Sequence, residues 1–309
     1  MEVKKVLHPT DFSAASDHAL PHAVEFAGRF GSELTILHVR TLFAGEGSAE
    51  EFSHFDPDEY AEVLEMELEK TSERLRADRS VRTVLRHSVS AASAILEFSE
   101  EDASDLIVMG THGKSALGRF FLGSVAEKVV RHASVPVVTV SPEKKGYQGK
   151  PDYSRILATF DFSEHSKNAV VRAREIAEAY GAQLQILNVV EQGVFPGHLD
   201  AWKEQISSEL PQIAEEASRS IAETFGDLTM DNVDICVEIG SGDGKVHREI
   251  TEFARRNQAD LIVMGTYGLS GVSTCCWEVQ PSAFCAALPV RFLLTTYLID
   301  VLGDLGVLW

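Results

Sequence analysis

The sequence predicts an α/β protein built as two tandem domains, each an open, mostly parallel five-stranded sheet flanked by helices. Three observations carry this. The block Asp105-Leu-Ile-Val-Met-Gly110-Thr-His-Gly113 returns as Asp260-Leu-Ile-Val-Met-Gly265-Thr-Tyr-Gly268. Residues 9–40 align without a gap on 159–190, setting Asp11 on Asp161, Ser13 on Ser163, Gly31 on Gly181 and Val39 on Val189. Short apolar runs alternate with helical patterns along the chain, which implies right-handed crossovers between parallel strands. The offset between copies is 150 at the first anchor and 155 at the second, so a short net insertion lies between them. The first domain is read as residues 1–141, the linker as the hydrophilic 142–153, and the second domain as 154–309.

Residues 3–8 form a short apolar run closed by Pro9, the pattern of a buried strand. Residues 14–30 carry Ala19, Ala23, Phe26, Ala27 and Phe30 at helical spacing and stop at Gly31, a natural C-terminal cap. Residues 34–39 make the second strand. Residues 56–78 make a long charged helix that turns Leu64, Leu68 and Leu75 toward a core. A strand at 81–87, a helix at 92–101, a strand at 105–110, a helix at 124–132 and a strand at 135–140 complete the unit. The second unit repeats the order, with strands at 155–160, 183–190, 233–239 and 260–265 and helices at 164–180, 199–225 and 246–257. In open, Rossmann-like sheets of this kind, ligands bind beyond the carboxyl ends of the strands, where the strand order reverses. Asp11 and Gly110 both follow strand ends, so one crevice can hold both.

The net charge of −19 argues against sequence-independent binding to nucleic acid or to an anionic membrane surface. A small anionic ligand then needs backbone N–H groups and a metal ion to hold it. The chain starts directly on a strand pattern, and its most apolar stretch, 292–309, is interrupted by Asp300 and Asp304. A cytoplasmic protein is expected. The four cysteines, Cys236, Cys275, Cys276 and Cys285, have neither disulfide-framework nor zinc spacing.

The chemistry concentrates in Gly110-x2-Gly113 and, after nine intervening residues, in Gly123-Ser124 opening a helix. Small residues let backbone N–H groups face a phosphate closely, and the first N–H groups of a helix have no intrahelical partner. Each glycine alone reads equally as a turn residue. Ser124-Val-Ala-Glu127 also has the form of a capping box, compatible with a ligand because a box satisfies only some of the free donors. Asp11 is placed either to accept from a ribose hydroxyl or to complement a helix dipole. His112 lies inside the loop, as a phosphate contact, a base, or a solvent-facing residue. His18 and His22 stand four apart on a helix, the spacing of a metal pair, but with no carboxylate or cysteine arranged around them a solvated face is favoured. Gly113-Lys-Ser115 imitates the end of a P-loop, yet Val108 stands where that motif needs glycine. The glycines at 240, 242 and 244 lack dinucleotide-fingerprint spacing and are read as a loop.

Together, Pro9-Thr-Asp11-Phe-Ser13, His38-Val39, Met109-Gly110-Thr-His-Gly113, Gly123-Ser124-Val125-Ala-Glu127 and Pro136-Val137 resemble the ATP-binding branch of the universal stress protein family. The likeness spans nearly all of 1–141 and most of 152–273, as in a tandem member. It implies a sheet order of 3-2-1-4-5 and the pairing of two such units, within the chain or in a homodimer. It further implies that Val39 contacts adenine through its backbone, while Pro9, Asp11 and Gly110, with Met109 beside it, lie near adenine and ribose. Gly113, Gly123, Ser124 and Val125, with His112 between them, would hold the phosphates with Mg²⁺. The implied role is ATP binding in stress survival and regulation, without fast hydrolysis.

In the second unit only Asp161, Val189, Gly265 and Gly268 match, and Glu278 stands in the place expected for the third glycine. Beyond Val272 the alignment dissolves into an unrelated stretch, so the tail 274–309 is either an evolved divergent segment or the product of a shifted reading frame. The codons of Cys275, Cys276, Trp277, Glu278 and Val279, read with the last base of one and the first two of the next, give Leu-Leu-Gly and then Ser or Gly. Continued, the same frame permits Ala, Glu, Arg and Val, forces Leu from Phe284 and Cys285, and so yields a text in the register of residues 121–131. Loss of one base near codons 270–274 accounts for this, and gene sequence incompatible with Gly-Ser in that frame would refute it. Residues 288–296 are apolar and β-branched enough to stand in as a strand, and the second domain is expected to be the weaker, with an apolar tail at 297–309.

The functional reading is an ATP-binding regulatory protein with one competent site. The competing readings are a nucleotide-free interaction module and a slow ATPase using His112 and Mg²⁺. No general base with an orienting partner is visible.

Overall fold

A computed structural model of the chain describes residues 2–41, 57–75, 80–111, 123–141, 151–190, 200–226, 232–240, 246–265 and 291–295. The first domain runs β1 (Lys5–Thr10), α1 (Ala14–Phe30), β2 (Glu33–Thr41), α2 (Pro57–Leu75), β3 (Val81–Ser88), α3 (Ala91–Glu101), β4 (Leu106–Gly110), α4 (Ser124–His132) and β5 (Val137–Val140). The second runs β6 (Arg155–Thr159), α5 (Glu164–Tyr180), β7 (Gln183–Val190), α6 (Asp200–Thr224), β8 (Val233–Ile239), α7 (Val246–Arg256), β9 (Leu261–Gly265) and β10 (Arg291–Thr295). The strands join in one sheet of order β3-β2-β1-β4-β5-β10-β9-β6-β7-β8. Counted inward from either edge, each half has the order 3-2-1-4-5.

The two sheets expected from the repeat are therefore fused. β5 and β10 pair antiparallel at the seam, Phe292 beside Thr139, while β10 runs parallel to β9 with Phe292 beside Ile262. β10 lies inside the stretch 288–296 expected to stand in as a strand. The rest of the tail, 296–309, and the segment 266–290 lie outside the described residues.

Helices cover both faces, so the inner strands are apolar on both sides rather than alternating. On one face Val6, Leu34 and Ile36 pack with Ala19, Ala23 and Phe26 of α1. On the other, Leu7, Leu37 and Ile107 pack with Ile95 and Phe98 of α3 and Val129 of α4. Leu64 and Leu68 of α2 are buried as the helical spacing requires, and Leu75 packs against the same core. The aspartate that opens the repeated block is structural. Asp105 Oδ2 accepts from the N–H groups of Lys4 and Lys5 at 2.7 and 2.9 Å, and Asp260 Oδ2 does the same for Ser154 and Arg155 at 3.0 and 2.9 Å.

Tyr153, read as the end of a hydrophilic linker, is fully buried. Its ring packs on Phe26 of α1 and Tyr180 of α5, at 5.0 and 5.1 Å between centroids. Its hydroxyl meets His22 Nδ1 at 2.8 Å. His22, expected on a solvated face, is 2 % exposed, because the face of α1 that carries it meets the other domain instead of water. Tyr153→Phe is expected to cost about 1 kcal/mol for one hydrogen bond, and Tyr153→Ala about 3–5 kcal/mol for a vacated aromatic site. Denaturant titrations of the two variants check both values.

Candidate functional site

At the carboxyl end of β1 the chain turns through Asp11, Phe12 and Ser13 into α1. Ser13 caps that helix, its Oγ accepting from Ser16 N at 3.3 Å. Asp11 Oδ1 accepts from Ser13 N at 3.0 Å, and Thr10 Oγ1 accepts from Phe12 N at 3.1 Å. These bonds hold Phe12 at φ 55°, a left-handed conformation that a bulky residue adopts only where its surroundings over-determine it. The second domain keeps the turn, with Phe162 at φ 66° and Asp161 Oδ1 accepting from both Ser163 N, at 3.0 Å, and Ser163 Oγ, at 2.6 Å. The helix-end role of Asp11 is thus in place. A carboxylate has about four acceptor positions, so a ligand hydroxyl is compatible with it.

Gly110 ends β4 and is buried against the first turn of α1. A Cβ there would stand 2.7 Å from Ala15 O and 2.8 Å from its carbonyl carbon. Reading this glycine as a close approach to phosphate therefore missed its first cause, which is helix-on-strand packing. Gly265 repeats the arrangement, its absent Cβ 3.0 Å from the carbonyl carbon and Cβ of His165.

Gly123 N donates to Thr111 O at 2.7 Å and so draws the start of α4 to the end of β4. The expected capping box does not form. Ser124 is the first helical residue rather than the one before it, and Gly123 occupies the cap position with no side-chain cap bond. Glu127 accepts from Arg131 at 3.0 Å, one turn on, instead of reaching back. The one-residue offset means that no side chain caps the first turn of α4, the condition under which a helix start suits an anion.

The remaining expected residues fall at the same end of the sheet. Pro9 is buried in β1 beside Leu37, Val39 is half-buried in β2, and Met109 is buried in β4. Gly123, Ser124 and Val125 stand at the start of α4, with Ser124 exposed. β1 lies between β2 and β4, so these residues stand at the carboxyl ends of neighbouring strands and the start of the following helix. His112 and Gly113, like Gly268, lie outside the described residues.

Sequence reasoning gave no role of their own to two histidines near this end of the sheet. His38 Nδ1 donates to Thr10 O at 2.7 Å and its ring lies 4.7 Å from that of Phe12. His8, 1 % exposed in β1, donates from Nδ1 to Val108 O at 2.8 Å. Burial holds its imidazole down from the usual 6.5 to about 4, against the opposing pull of the Val108 carbonyl and the Asp11 charge. An ionisable residue inside an apolar strand run was the available signal. Because the folded value lies below the unfolded one, the stabilisation is complete above pH 6.5 and is lost as the pH falls from 6.5 toward 4. It amounts to something on the order of 3 kcal/mol. His8→Asn is expected to flatten this acid limb, as measured by denaturation free energies across that window.

Among the described residues, no group of three or more His, Cys, Asp or Glu side chains is placed to hold a metal ion, and no helix is long and apolar enough to cross a membrane.

The universal stress protein family matches residues 2–141 and 152–275. The second match ends within the stretch where the repeat alignment is lost. A universal stress protein of Methanocaldococcus jannaschii is 39 % identical over 147 residues, covering 46 % of this chain and 84 % of its own. A universal stress protein of Mycobacterium tuberculosis is 25 % identical over 281 residues, covering 85 % of this chain and 87 % of its own. The crystal structure of a universal stress protein from Archaeoglobus fulgidus superposes with a TM-score of 0.69 at 22 % identity, covering 96 % of this chain and 97 % of that one, which establishes likeness of fold.

Proposed function

We propose that this chain, which belongs to the universal stress protein family as a tandem two-domain member, binds one ATP with Mg²⁺ in its first domain. It serves stress survival and regulation through that binding. The observation that carries the reading is the start of α4, drawn by the Gly123–Thr111 bond to the end of β4 without a side-chain cap. Backbone N–H groups suit phosphate in a chain whose net charge is −19. Gly113, Gly123, Ser124 and Val125, with His112, would hold the phosphates. Pro9, Asp11, Val39, Met109 and Gly110 would take the nucleoside. Mg²⁺, when bound, offsets phosphate charge, and the protein's own part is to position and bind.

The second domain keeps the Asp161 turn and Gly265, but its sequence has Glu278-Val279, not a Gly-Ser pair, after the nine residues that follow Gly268. It is proposed to be empty, with the pairing of β5 and β10 serving to join the halves. Equilibrium dialysis with ATP and Mg²⁺ tests the reading. Saturation at about one ATP per chain supports it, and the absence of binding favours an interaction module instead. Should turnover accompany binding, His112→Ala is expected to abolish it while leaving affinity intact if His112 is the reactive group, and to leave the rate unchanged if it is not.

A further inference from the structure

The turn after the first strand is braced in both domains, but by different residues. In the first domain His38 of β2 touches the turn on both sides of Asp11. Its Nδ1 donates to Thr10 O at 2.7 Å, and its ring lies 4.7 Å from that of Phe12. In the second, the aligned Asn188 donates from Nδ2 to Phe160 O at 2.8 Å, and that carbonyl aligns with Thr10 O. An amide has no ring to offer. The aromatic contact there comes from Phe160, whose centroid lies 4.9 Å from that of Phe162. Thr10 and His38 are thus matched by Phe160 and Asn188, with the ring moved from one strand to its neighbour. Two features survive the exchange: a side-chain donor to the strand-end carbonyl, and an aromatic neighbour for a phenylalanine at φ 55° or 66°. His38, Asn188 and Phe160 are all buried.

We propose that His38 is a positioning residue for Asp11. A phenylalanine in the left-handed conformation holds only where its surroundings over-determine it. His38 fixes Thr10 by a hydrogen bond and Phe12 by its ring, and these two are the chain neighbours of Asp11. Thr10 carries the constraint onward, its Oγ1 accepting from Phe12 N at 3.1 Å and donating to Ser16 Oγ at 3.1 Å. The Asp11 carboxylate, which accepts from Ser13 N, is thereby kept in place, the condition for selecting a ligand hydroxyl. That the hydroxyl belongs to a ribose rests on the ATP reading above; the brace on the turn does not.

The full chain is tested in three forms. His38→Asn keeps the donor and loses the ring, His38→Phe does the reverse, and Thr10→Phe combined with His38→Asn copies the second domain. Exchange of the Ser13 amide hydrogen, held by Asp11, reads the turn without any ligand. It is expected to speed up in both single variants and to return toward wild type in the double. The ratio of affinities for ATP and 2′,3′-dideoxy-ATP reads the carboxylate. It is expected to be about tenfold in the wild type, near one in both single variants and in Asp11→Ala, and restored in the double. A general loss of stability moves both affinities together and leaves the ratio unchanged. Should the double variant not fold, Phe160→Thr with Asn188→His makes the converse exchange in the second turn, where the Ser163 amide should keep its protection. Single variants with wild-type exchange, or a double no better than the singles, overturn the brace. Altered exchange with an unaltered ratio, or a wild-type ratio near one, overturns the positioning role. If wild-type protein binds no ATP, the functional reading fails while exchange at Ser13 still decides the brace.

Discussion

Gly110→Ala is expected to destabilise the first domain by about 3 kcal/mol and to weaken nucleotide binding with it. The added methyl would stand 2.7 Å from Ala15 O. That atom belongs to the backbone of α1, so no side-chain rotation relieves the contact, and the first turn of the helix must shift. The shift carries Ser13, whose hydroxyl caps the helix, and Phe12, already at φ 55°. The damage therefore spreads from packing to the turn that sets Asp11 at the crevice. Gly265→Ala meets a looser neighbour, 3.0 Å from His165, and is expected to cost about 1–2 kcal/mol. Denaturant midpoints of the two variants should fall in that order; equal midpoints, or a Gly110→Ala protein as stable as wild type, would contradict the packing argument.

Gly123→Val is expected to reverse the balance, costing the fold little and the site nearly everything. Gly123 has φ −60° and ψ 146°, an extended conformation that valine adopts readily, so glycine is not there for the backbone. What valine adds is bulk where a phosphate would approach the N–H groups of α4. We expect ATP affinity to fall at least about 100-fold, some 2.7 kcal/mol, with stability changed by less than about 1 kcal/mol. Gly268→Val, in the proposed empty half, should leave affinity unaltered. Parallel ATP titrations and melting curves on the two variants would separate these outcomes. A Gly123→Val protein that binds ATP as wild type does would remove the phosphate assignment.

Much of the fold was legible because the repeat and the apolar periodicity were redundant signals. The helices Ala14–Phe30, Ser124–His132 and Glu164–Tyr180 have the bounds the sequence predicts, and glycine in the left-handed conformation closes both α1 and α5. The fusion of two sheets into one was not legible, since it depends on an antiparallel seam between residues far apart in sequence. The burial of His22 and Tyr153 follows from that seam, because polar atoms in an apolar context show their partners only once the domains meet. At the site the structure corrects a register and adds a packing cause. Ser124 has the spacing of a capping box but sits one residue too late to cap, and Gly110 looks like a ligand glycine but is first a packing glycine. The shorter β1–β4 ladder has its cause in Pro9, which offers no N–H to the Val108 carbonyl where the aligned Thr159 has one.

The central claim, one competent ATP site per chain, is tested most directly by denaturing the purified protein and quantifying the released nucleotide by chromatography. The account predicts about one ATP or ADP per chain, retained without added ligand or restored by ATP with Mg²⁺. No nucleotide under either condition would contradict it and leave a paired-domain scaffold that works through its surface.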